Sequence, residues 1–346
     1  MEDVLIKKDI LSFSLDSLND ELVVLDEKKF RAKQIYEWLH VKRVTSFNQM
    51  TNISSSLCVK MDEIFCINSL NISQKLESYI DNTVKYLYRL SDGNHVEAVL
   101  MSYKHGNSLC ISTQVGCKMG CKFCASTIAG FKRNLTPSEM LLQIYMAEQD
   151  SGRRVDNIVL MGIGEPLDNF KNVVDFLKLL SFEIGKNMSL RHVSLSTCGI
   201  VDKIYELAEY RFGLTLSISL HAVTDKKRTQ IMPVNKTYNI DTLLKACKHY
   251  INKTGRRISF EYAVIHNVND TAYDAQGLIK LLKGINCHVN LIPINEIKER
   301  DYKADKKSLQ YFLTMLEKGG LNATIRRTLG TDINAACGQL RREYEI

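Results

Sequence analysis

The sequence predicts an α/β protein built around an open or partial (β/α)6 barrel, with a small helical domain at its N-terminal end. Three observations support this prediction. The composition is that of an ordinary globular chain, since 45% of the 346 residues are hydrophobic and 25% are charged. Apolar residues recur at helical spacing in the first 90 residues, and β-branched runs alternate with helix-length segments after them. Such alternation produces a parallel sheet with helical crossovers, and about six units fall short of a full eight-unit barrel.

The N-terminal domain is predicted to be mostly helical and to span residues 1–90. Residues 29–42 place aromatic and aliphatic side chains at helical spacing, and residues 48–65 give a polar start followed by a second amphipathic segment. Strand-like alternation follows at residues 84–90, 95–101 and 108–114. A core domain over residues 91–346 is therefore expected, with its boundary between residues 75 and 105.

The core domain alternates strand and helix along its length. Short β-branched runs are predicted as strands at residues 157–163, 192–197, 214–220, 259–265, 288–294 and 322–327. Helix-length segments are predicted at residues 136–150, 170–181, 200–210, 239–254, 270–284 and 306–318. The first of these helices follows a capping signal, Thr136-Pro137-Ser138-Glu139. In folds of this kind the chemistry lies at the carboxyl ends of the parallel strands.

Net charge is distributed unevenly along the chain. The total is +7, with −3 over residues 1–100 and +10 over the remainder. Much of the surplus lies in short basic groups: Lys132-Arg133, Arg153-Arg154, Lys226-Lys227-Arg228, Arg256-Arg257, Arg326-Arg327 and Arg341-Arg342. A polyanionic partner such as a nucleic acid is one interpretation. Ordinary solvated surface is the other, and the charge alone does not decide between them.

Cysteine usage predicts a reducing compartment, and the chain is expected to be cytoplasmic. No stretch has the length of apolar sequence that a membrane-spanning helix needs, and the first residues lack the apolar run and cleavage site of a secretion signal. In a reducing compartment, ten cysteines serve metal binding or catalysis more often than disulfides.

The sharpest feature is a group of three cysteines in one short loop. Cys117, Cys121 and Cys124 form a C-x3-C-x2-C spacing, with Gly116 and Gly120 allowing the backbone to fold tightly. Three thiolates so close can each bind one iron of a [4Fe–4S] cluster and leave the fourth iron open to a small molecule. A structural zinc site and three unconnected thiols are the alternatives. Zinc would need a fourth cysteine or histidine nearby, and the next seven residues contain none.

A glycine-rich turn is the second candidate site. Gly162-Ile163-Gly164-Glu165-Pro166 follows a predicted strand, where glycines let a backbone approach a ligand closely. A plain strand-to-helix turn with a capping acid would explain the same residues. An open iron on a parallel barrel, however, resembles the radical S-adenosylmethionine (SAM) superfamily. Taken with the cysteine loop, the turn is interpreted as a SAM site in which Glu165 pairs with a positive charge of the cofactor.

Two further cysteines attract attention. Cys110 lies seven residues before the cysteine loop, and Cys337 lies near the C-terminus in a small glycine-flanked loop after a basic strand. A lone cysteine is usually a small buried hydrophobe. That interpretation is preferred for the five remaining cysteines: Cys58, Cys66, Cys198, Cys247 and Cys287. A flexible thiolate at position 337 would be able to reach a cofactor, but position alone leaves both interpretations open.

Eight strings occur in order along the chain: LCISTQVGCKMGCKFCAS, GFKRNLTPSE, GIGEPLDN, LSTCG, SISLHA, MPVNKTYNI, HVNLIPIN and DINAACGQL. Together they resemble the dual-specificity RNA adenine-C2 methyltransferases, the RlmN branch of the RlmN/Cfr family of radical SAM enzymes. Pro166 favours this branch over the relatives that methylate C8, which typically carry alanine there. Glu296 departs from the family pattern, because many members have proline at this position.

The resemblance implies a mechanism that uses a [4Fe–4S] cluster and two SAM molecules per turnover. The first SAM methylates Cys337, and the second is cleaved at the cluster of the three-cysteine loop, so that its radical activates the new methyl group. The methyl carbon then joins C2 of adenine in a protein–RNA crosslink, which Cys110 resolves through a transient disulfide with Cys337. Glu97 matches the family's proposed proton acceptor, although Cys110 is an alternative. Without the family, an acid on a strand would be interpreted as solvated surface.

The resemblance also assigns cofactor contacts and partners. The positions that match SAM contacts are Gly164, Glu165, Ser196, Ser219, Leu220, His221 and Asn295. The implied substrates are an adenosine of 23S ribosomal RNA (rRNA) near the peptidyl-transferase centre and the adenosine next to the anticodon of transfer RNAs (tRNA). A flavodoxin- or ferredoxin-type protein is expected as electron donor. The chain is expected to be a monomer that needs no membrane, and its first 90 residues are expected to recognise RNA.

Two other functions fit parts of the sequence. A radical SAM enzyme that acts on a peptide or metabolite would leave Cys110 and Cys337 unexplained as a pair. A non-enzymatic RNA-binding protein, stabilised by an iron–sulfur cluster or by zinc, would produce no 5′-deoxyadenosine from SAM.

Overall fold

A computed structural model describes residues 7–295, 299 and 301–340. The α-helices are α1 (Leu15–Val24), α2 (Lys29–His40), α3 (Ser55–Ile64), α4 (Pro137–Ser151), α5 (Phe170–Ser181), α6 (Val201–Glu209), α7 (Asp225–Ile231), α8 (Ile240–Thr254), α9 (Ala272–Leu282) and α10 (Lys306–Lys318). The β-strands are β1 (Lys8–Asp9), β2 (Phe65–Cys66), β3 (Asn71–Glu77), β4 (Val84–Arg89), β5 (His95–Tyr103), β6 (Gly106–Cys110), β7 (Gln114–Val115), β8 (Arg133–Asn134), β9 (Asn157–Leu160), β10 (Val193–Thr197), β11 (Thr215–Ser219), β12 (Ile258–Val264), β13 (Cys287–Pro293) and β14 (Ala323–Ile325). Glu296 and the pair Arg341-Arg342 lie outside the described residues.

One large mixed sheet organises the chain. Its strands run in the order β14-β13-β12-β11-β10-β9-β6-β5-β4-β3. Neighbours from β6 to β14 are parallel, and neighbours from β3 to β6 are antiparallel. From β6 onward, helices return the chain between successive parallel strands, which makes six βα units followed by the last strand, β14. The predicted partial (β/α)6 barrel is confirmed.

The core helices lie within two residues of their predicted ends. Helix α4 begins at the predicted capping box, in which Thr136 and Glu139 each accept from the other's backbone amide, and it ends at Gly152 with φ 64°. The strand predicted at residues 157–163 is too long. It ends at Leu160, because the chain leaves the sheet there to form the glycine-rich turn. The sequence does not predict the short helices α1 and α7 or the mostly solvent-facing strand β3.

The strands of the parallel barrel have an apolar outer face and a polar inner face. In β11, the buried Leu216 and Ile218 belong to the main hydrophobic cluster, and Ser217 and Ser219 alternate with them. Side chains alternate between the two faces of a strand. Packing the apolar face against the helices therefore turns polar side chains toward the interior.

The N-terminal helices have a hydrophobic cluster of their own. Leu18, Ile35 and Met61 lie in it, and Leu179 of α5 joins it from the core domain. Strands β3 and β4 fall within residues 1–90 but pair with the large sheet, and the domain boundary stays a prediction. Within the described residues, none of the helices combines the length and apolar character that crossing a bilayer requires.

One of the basic groups, Lys226-Lys227-Arg228, extends from the surface into the interior. Arg228 is fully buried, and its side chain donates to five oxygen acceptors: the carbonyls of Cys198, Ser219, Leu220 and Tyr238 and the side chain of Asn235. The neighbouring Lys227 forms an ion pair of 2.7 Å with the buried Asp274. Both interpretations of this basic group, RNA contact and solvated surface, are therefore wrong for Arg228. The burial of Arg228 cannot be inferred from the number of charges in the sequence, because that number carries no information on burial.

We expect Arg228→Met to lower the free energy of unfolding by about 3 kcal/mol or more, because each buried oxygen left without a donor costs about 1–3 kcal/mol. Lys226 is exposed, so Lys226→Met should change stability by less than about 0.5 kcal/mol. Urea denaturation of the two variants measures the difference. Equal losses would contradict a structural role for Arg228.

Candidate active site

A cavity opens at the carboxyl ends of the parallel strands, with an empty volume of about 1000 Å³; we call it the main cavity. Ten of the thirteen residues assigned to the cluster, to SAM or to catalysis line it: Cys117, Cys121, Cys124, Gly164, Glu165, Ser196, Ser219, His221, Asn295 and Cys337. These residues come from six separate segments of the chain. Cys110, Glu97 and Leu220 are not in its lining.

The three-cysteine loop is shaped by glycines at its start and middle. Gly116 has φ +76°, and a Cβ atom there would overlap the carbonyl oxygen of Gly130. Gly120, between the first two cysteines, has φ +71°. The Thr127 hydroxyl lies 3.3 Å from the carbonyl oxygen of Cys121 and 3.0 Å from that of Cys124. The loop therefore has a defined backbone that only glycine permits at Gly116.

The three thiols fit a cluster better than a single metal ion. All of them line the main cavity, yet no three His, Cys, Asp or Glu side chains among the described residues are grouped so as to hold one ion. A zinc ion would require its ligands within about 2.3 Å of one point, whereas a cubane cluster spreads its irons over separate thiolates. Burial raises the pKa of Cys117 to about 12 and also raises the pKa of Cys121 and Cys124. Thiols so buried need positive charge, such as iron, to ionise.

The glycine-rich turn packs against the segment that leads into the cysteine loop. A Cβ atom at Gly162 would lie 2.6 Å from the carbonyl oxygen of Ile111, and one at Gly164 would lie 2.6 Å from the Gln114 side chain. The Glu165 carboxylate accepts from the backbone amides of Leu167 at 3.0 Å and Cys198 at 2.7 Å.

Glu165 thus holds the turn to the segment after β10 and also lines the main cavity, whereas the N-cap of α5 is Asn169. Burial raises the pKa of Glu165, against the effect of these amide donors. Hydrogen bonds from the Thr197 and Cys198 side chains also act to lower it, and a cationic ligand in the cavity would favour the ionised form further.

His221 is a neutral donor at the cavity wall. Its Nδ1 atom accepts from the backbone amide of Ala263 at 2.8 Å, which leaves the proton on Nε2. Burial lowers its pKa to about 3, helped by the charge of Arg228. Phe123 of the cysteine loop packs edge-on against the ring, with 4.9 Å between centroids. Leu220 is fully buried. Its carbonyl oxygen accepts from the Arg228 side chain, and its backbone amide donates to the carbonyl oxygen of Glu261.

Glu261 is a cavity residue that the sequence analysis missed. It is buried on β12, lines the main cavity, and accepts from Ser259 at 3.0 Å and Asn290 at 2.7 Å. An acid within an otherwise apolar strand was the available signal. It was overlooked because no motif contains it.

A smaller cavity, with an empty volume of about 530 Å³, holds the second pair of thiols. Cys110 is buried and lines only this cavity, whereas the exposed Cys337 lines both cavities. Burial raises the pKa of Cys110 to about 12, and the nearby Cys337 adds to the effect. All ten cysteines are free thiols.

The loop that carries Cys337 is tied to the cysteine loop and to the barrel. The carbonyl of Cys337 accepts from the Asn295 side chain at 2.9 Å. The carbonyls of Gly338 and Leu340 accept from the Ala125 amide at 2.8 Å and the Ser126 hydroxyl at 2.9 Å. Asn295 therefore contacts the backbone of this loop as well as lining the main cavity.

Glu97 is a buried carboxylate, not a solvated one. It forms an ion pair of 3.2 Å with Lys85, whose amino group lies 3.4 Å from the carbonyl oxygen of Asn334. It shares one face of β5 with Val99, which lines the smaller cavity, but Glu97 itself lines neither cavity.

The barrel and the three-thiol loop define a radical SAM enzyme. Residues 111–275 match the radical SAM superfamily, and residues 8–67 match a family described as the ribosomal RNA large subunit methyltransferase N-terminal domain. A radical SAM methyltransferase from Sphaerobacter thermophilus has the same fold, with a TM-score of 0.91 and 36% identity over 97% of this chain and 100% of that one.

Relatives along the full length of the chain specify the family. A probable dual-specificity RNA methyltransferase RlmN from Lachnoclostridium phytofermentans is 54% identical, with 99% of this chain and 97% of the relative covered. A probable RlmN from Clostridium perfringens (strain 13) is 52% identical, with 97% of each covered. The chain belongs to the RlmN family of dual-specificity RNA methyltransferases. As a radical SAM enzyme it uses a [4Fe–4S] cluster and SAM.

Gly116→Ala should reduce cluster loading, because the added Cβ collides with the backbone at Gly130 and shifts the start of the cysteine loop. Gly152→Ala is the matched control: its φ of +64° imposes similar strain, about 1–2 kcal/mol, but nothing lies within 4 Å of the added atom. Iron and sulfide per chain are measured after anaerobic reconstitution, with thermal melting in parallel. Equal iron content in the two variants would contradict the packing argument.

Proposed function

We propose that the chain methylates C2 of adenosine in 23S rRNA at the peptidyl-transferase centre and in tRNA next to the anticodon. The reaction proceeds through a methylated-cysteine carrier and a covalent protein–RNA intermediate. One observation carries the proposal: Cys337 lines both the cavity with the three-thiol loop and the cavity with Cys110. A carrier that must meet a cofactor on one side and a resolving thiol on the other needs this position.

Different residues around the main cavity would hold the cluster and SAM. Cys117, Cys121 and Cys124 would hold the [4Fe–4S] cluster, which supplies reductive cleavage of SAM to a 5′-deoxyadenosyl radical when both are bound. Seven residues would hold SAM: Gly164, Glu165, Ser196, Ser219, Leu220, His221 and Asn295. Leu220 is outside the cavity lining, and its backbone amide and carbonyl bond to the Glu261 carbonyl and the Arg228 side chain, so its assignment rests on the family resemblance alone. Two SAM molecules are used per turnover, one of them to load Cys337.

Cys337 accepts a methyl group on its sulfur. Transfer of one hydrogen atom from that group to the 5′-deoxyadenosyl radical would let its carbon bond to C2 of adenine, and the one electron in excess after C2 loses its proton would return to the bound cluster. Adenine C2 is electron-poor and has no lone pair for an ordinary methyl transfer, so a carbon-centred nucleophile is needed. The C2 proton is taken by Glu97 or by Cys110. Glu97 is held in an ion pair of 3.2 Å with Lys85.

Cys110 releases the product. Its thiolate attacks the Cys337 sulfur, the bond between that sulfur and the RNA-linked carbon breaks, and the electron pair passes to the carbon. The carbon takes a proton and becomes the new methyl group. The two sulfurs remain as a disulfide, which a reducing thiol must open before the next turnover.

The remaining partners follow from the same proposal. RNA would be held by basic side chains of the core domain and recognised by residues 1–90, with the target base splayed from its loop. Affinity would fall as salt rises. A flavodoxin- or ferredoxin-type protein would supply electrons, and the chain would act as a cytoplasmic monomer.

RNA from cells that lack this protein should gain 2-methyladenosine at the rRNA and tRNA positions when the wild-type chain is supplied. Cys337→Ser should restore none, because the carrier sulfur is gone. Cys66→Ser, a change outside both cavities, should restore the wild-type level. Mapping by mass spectrometry of nuclease digests measures this. Methylation at C8 of adenosine, or full activity of Cys337→Ser, would overturn the proposal.

Cys110→Ala should accumulate a covalent protein–RNA adduct, because crosslinking still occurs but the attacking thiolate is missing. Cys337→Ala should accumulate none, since the carbon that joins the base is missing. Denaturing gels of anaerobic reactions with labelled RNA measure the adduct. Equal behaviour of the two variants would contradict their assigned roles.

A further inference from the structure

Arg326 is a half-buried cation that the proposed mechanism does not use. It follows β14, where its backbone amide donates to the carbonyl of Leu291 at 2.8 Å, and its side chain reaches the sulfur of Met161 at 3.2 Å. Among the described residues it has no carboxylate within ion-pair distance of 4 Å. Charges removed from water are normally paired. The guanidinium is therefore available to a negative charge that forms nearby.

The smaller cavity places that cation beside both thiols. Its lining brings together Cys110 from β6, Cys337 from the C-terminal loop, Tyr103 from β5, and Arg326 with the exposed Arg327 after β14. These are its titratable or charged groups. Met161, which Arg326 touches, lines both cavities. The Arg326 side chain thus reaches from the end of β14 to Met161, the residue after β9, at the smaller cavity that both thiols line.

The electrostatics agree with this placement. Burial raises the pKa of Cys110 to about 12, with Cys337 adding to the rise, and the charge of Arg326 acts in the opposite direction. Burial alone would lower the pKa of Arg326, but the ionised forms of Cys337, Glu261 and Cys110 raise it overall. The cation is accordingly kept charged.

We propose that Arg326 is a positioning residue for thiol exchange, whose guanidinium stabilises the Cys110 thiolate that attacks the Cys337 sulfur during product release. The inference rests on the proposed function, because it concerns the step that resolves the protein–RNA crosslink. The bonds formed and broken are those of the Cys110 attack described above, because Arg326 neither gains nor loses a proton.

The size of the effect follows from thiol chemistry. Removing the cation raises the pKa of Cys110. At any pH below that pKa, a rise of one pKa unit reduces the fraction of Cys110 that is thiolate about tenfold. The more basic thiolate is about threefold more nucleophilic, so release slows by about threefold per unit. The plot of release rate against pH should move to higher pH when the cation is removed.

The experiment follows the lifetime of the crosslink in the full-length, cluster-loaded enzyme. The adduct is formed in a single turnover with labelled RNA, sampled over time between pH 7 and 9, and resolved on denaturing gels. Arg326→Met, which keeps the methylene stem, should slow release at least about threefold, and Arg326→Lys should restore the rate. Arg326→Gln is a second neutral variant if the methionine variant unfolds. Arg154→Met, which removes a side chain that is 84% exposed, is the charge-matched control. Its adduct should be released at the wild-type rate, because RNA affinity does not enter once the crosslink has formed.

The outcomes separate this inference from the proposed function. If Cys110→Ala accumulates adduct while both neutral Arg326 variants release it at the wild-type rate, Arg326 has no part in the exchange. If Arg326→Lys is as slow as Arg326→Met, the role is one of shape and the charge argument is wrong. If Cys110→Ala accumulates no adduct, the proposed function fails first, and this inference fails with it. Methylation of Cys337, read by mass spectrometry, confirms that loading is intact.

Discussion

The active site depends on the alternation of side chains along the parallel strands. Leu216 and Ile218 of β11 pack against the helices, which forces Ser217 and Ser219 into the interior. The same period gives β12 its inward-facing Glu261. A barrel filled with leucine and valine would have no room for a cofactor, whereas this one opens into a cavity with an empty volume of about 1000 Å³, in which Ser196, Ser219 and Glu261 stand among apolar side chains. Shifting one strand by a single residue would replace polar lining with apolar side chains.

Two loops complete the cavity that the barrel begins. The cysteine loop follows β7, and the Cys337 loop arrives more than 200 residues later, yet hydrogen bonds from Ala125 and Ser126 tie the two together. Because Cys337 is held through its backbone neighbours, its side chain stays exposed to both cavities. That arrangement gives one sulfur access to two different environments.

Buried charges carry much of the organisation around the site. Arg228 donates to carbonyl oxygens at the ends of β10 and β11. Glu165 accepts from backbone amides of two segments, and Glu97 forms an ion pair with Lys85. Each is satisfied by hydrogen bonds or an opposite charge, as burial requires. Arg326 differs, since among the described residues it forms no ion pair, and the groups that raise its pKa are the Glu261 carboxylate and the thiols of Cys337 and Cys110.

The sequence by itself determined the barrel, its helices, the cysteine loop and the glycine-rich turn, because each depends on periodicity or on residues close together in the chain. It also identified the family, from strings that match in order. It did not reveal Glu261, the burial of Arg228 or the cavity that joins Cys110 to Cys337 and Arg326. These depend on which strands become neighbours and which way their side chains face. Only the folded sheet brings together residues that are far apart in the chain, and only burial decides whether a charge is solvated surface or part of a site.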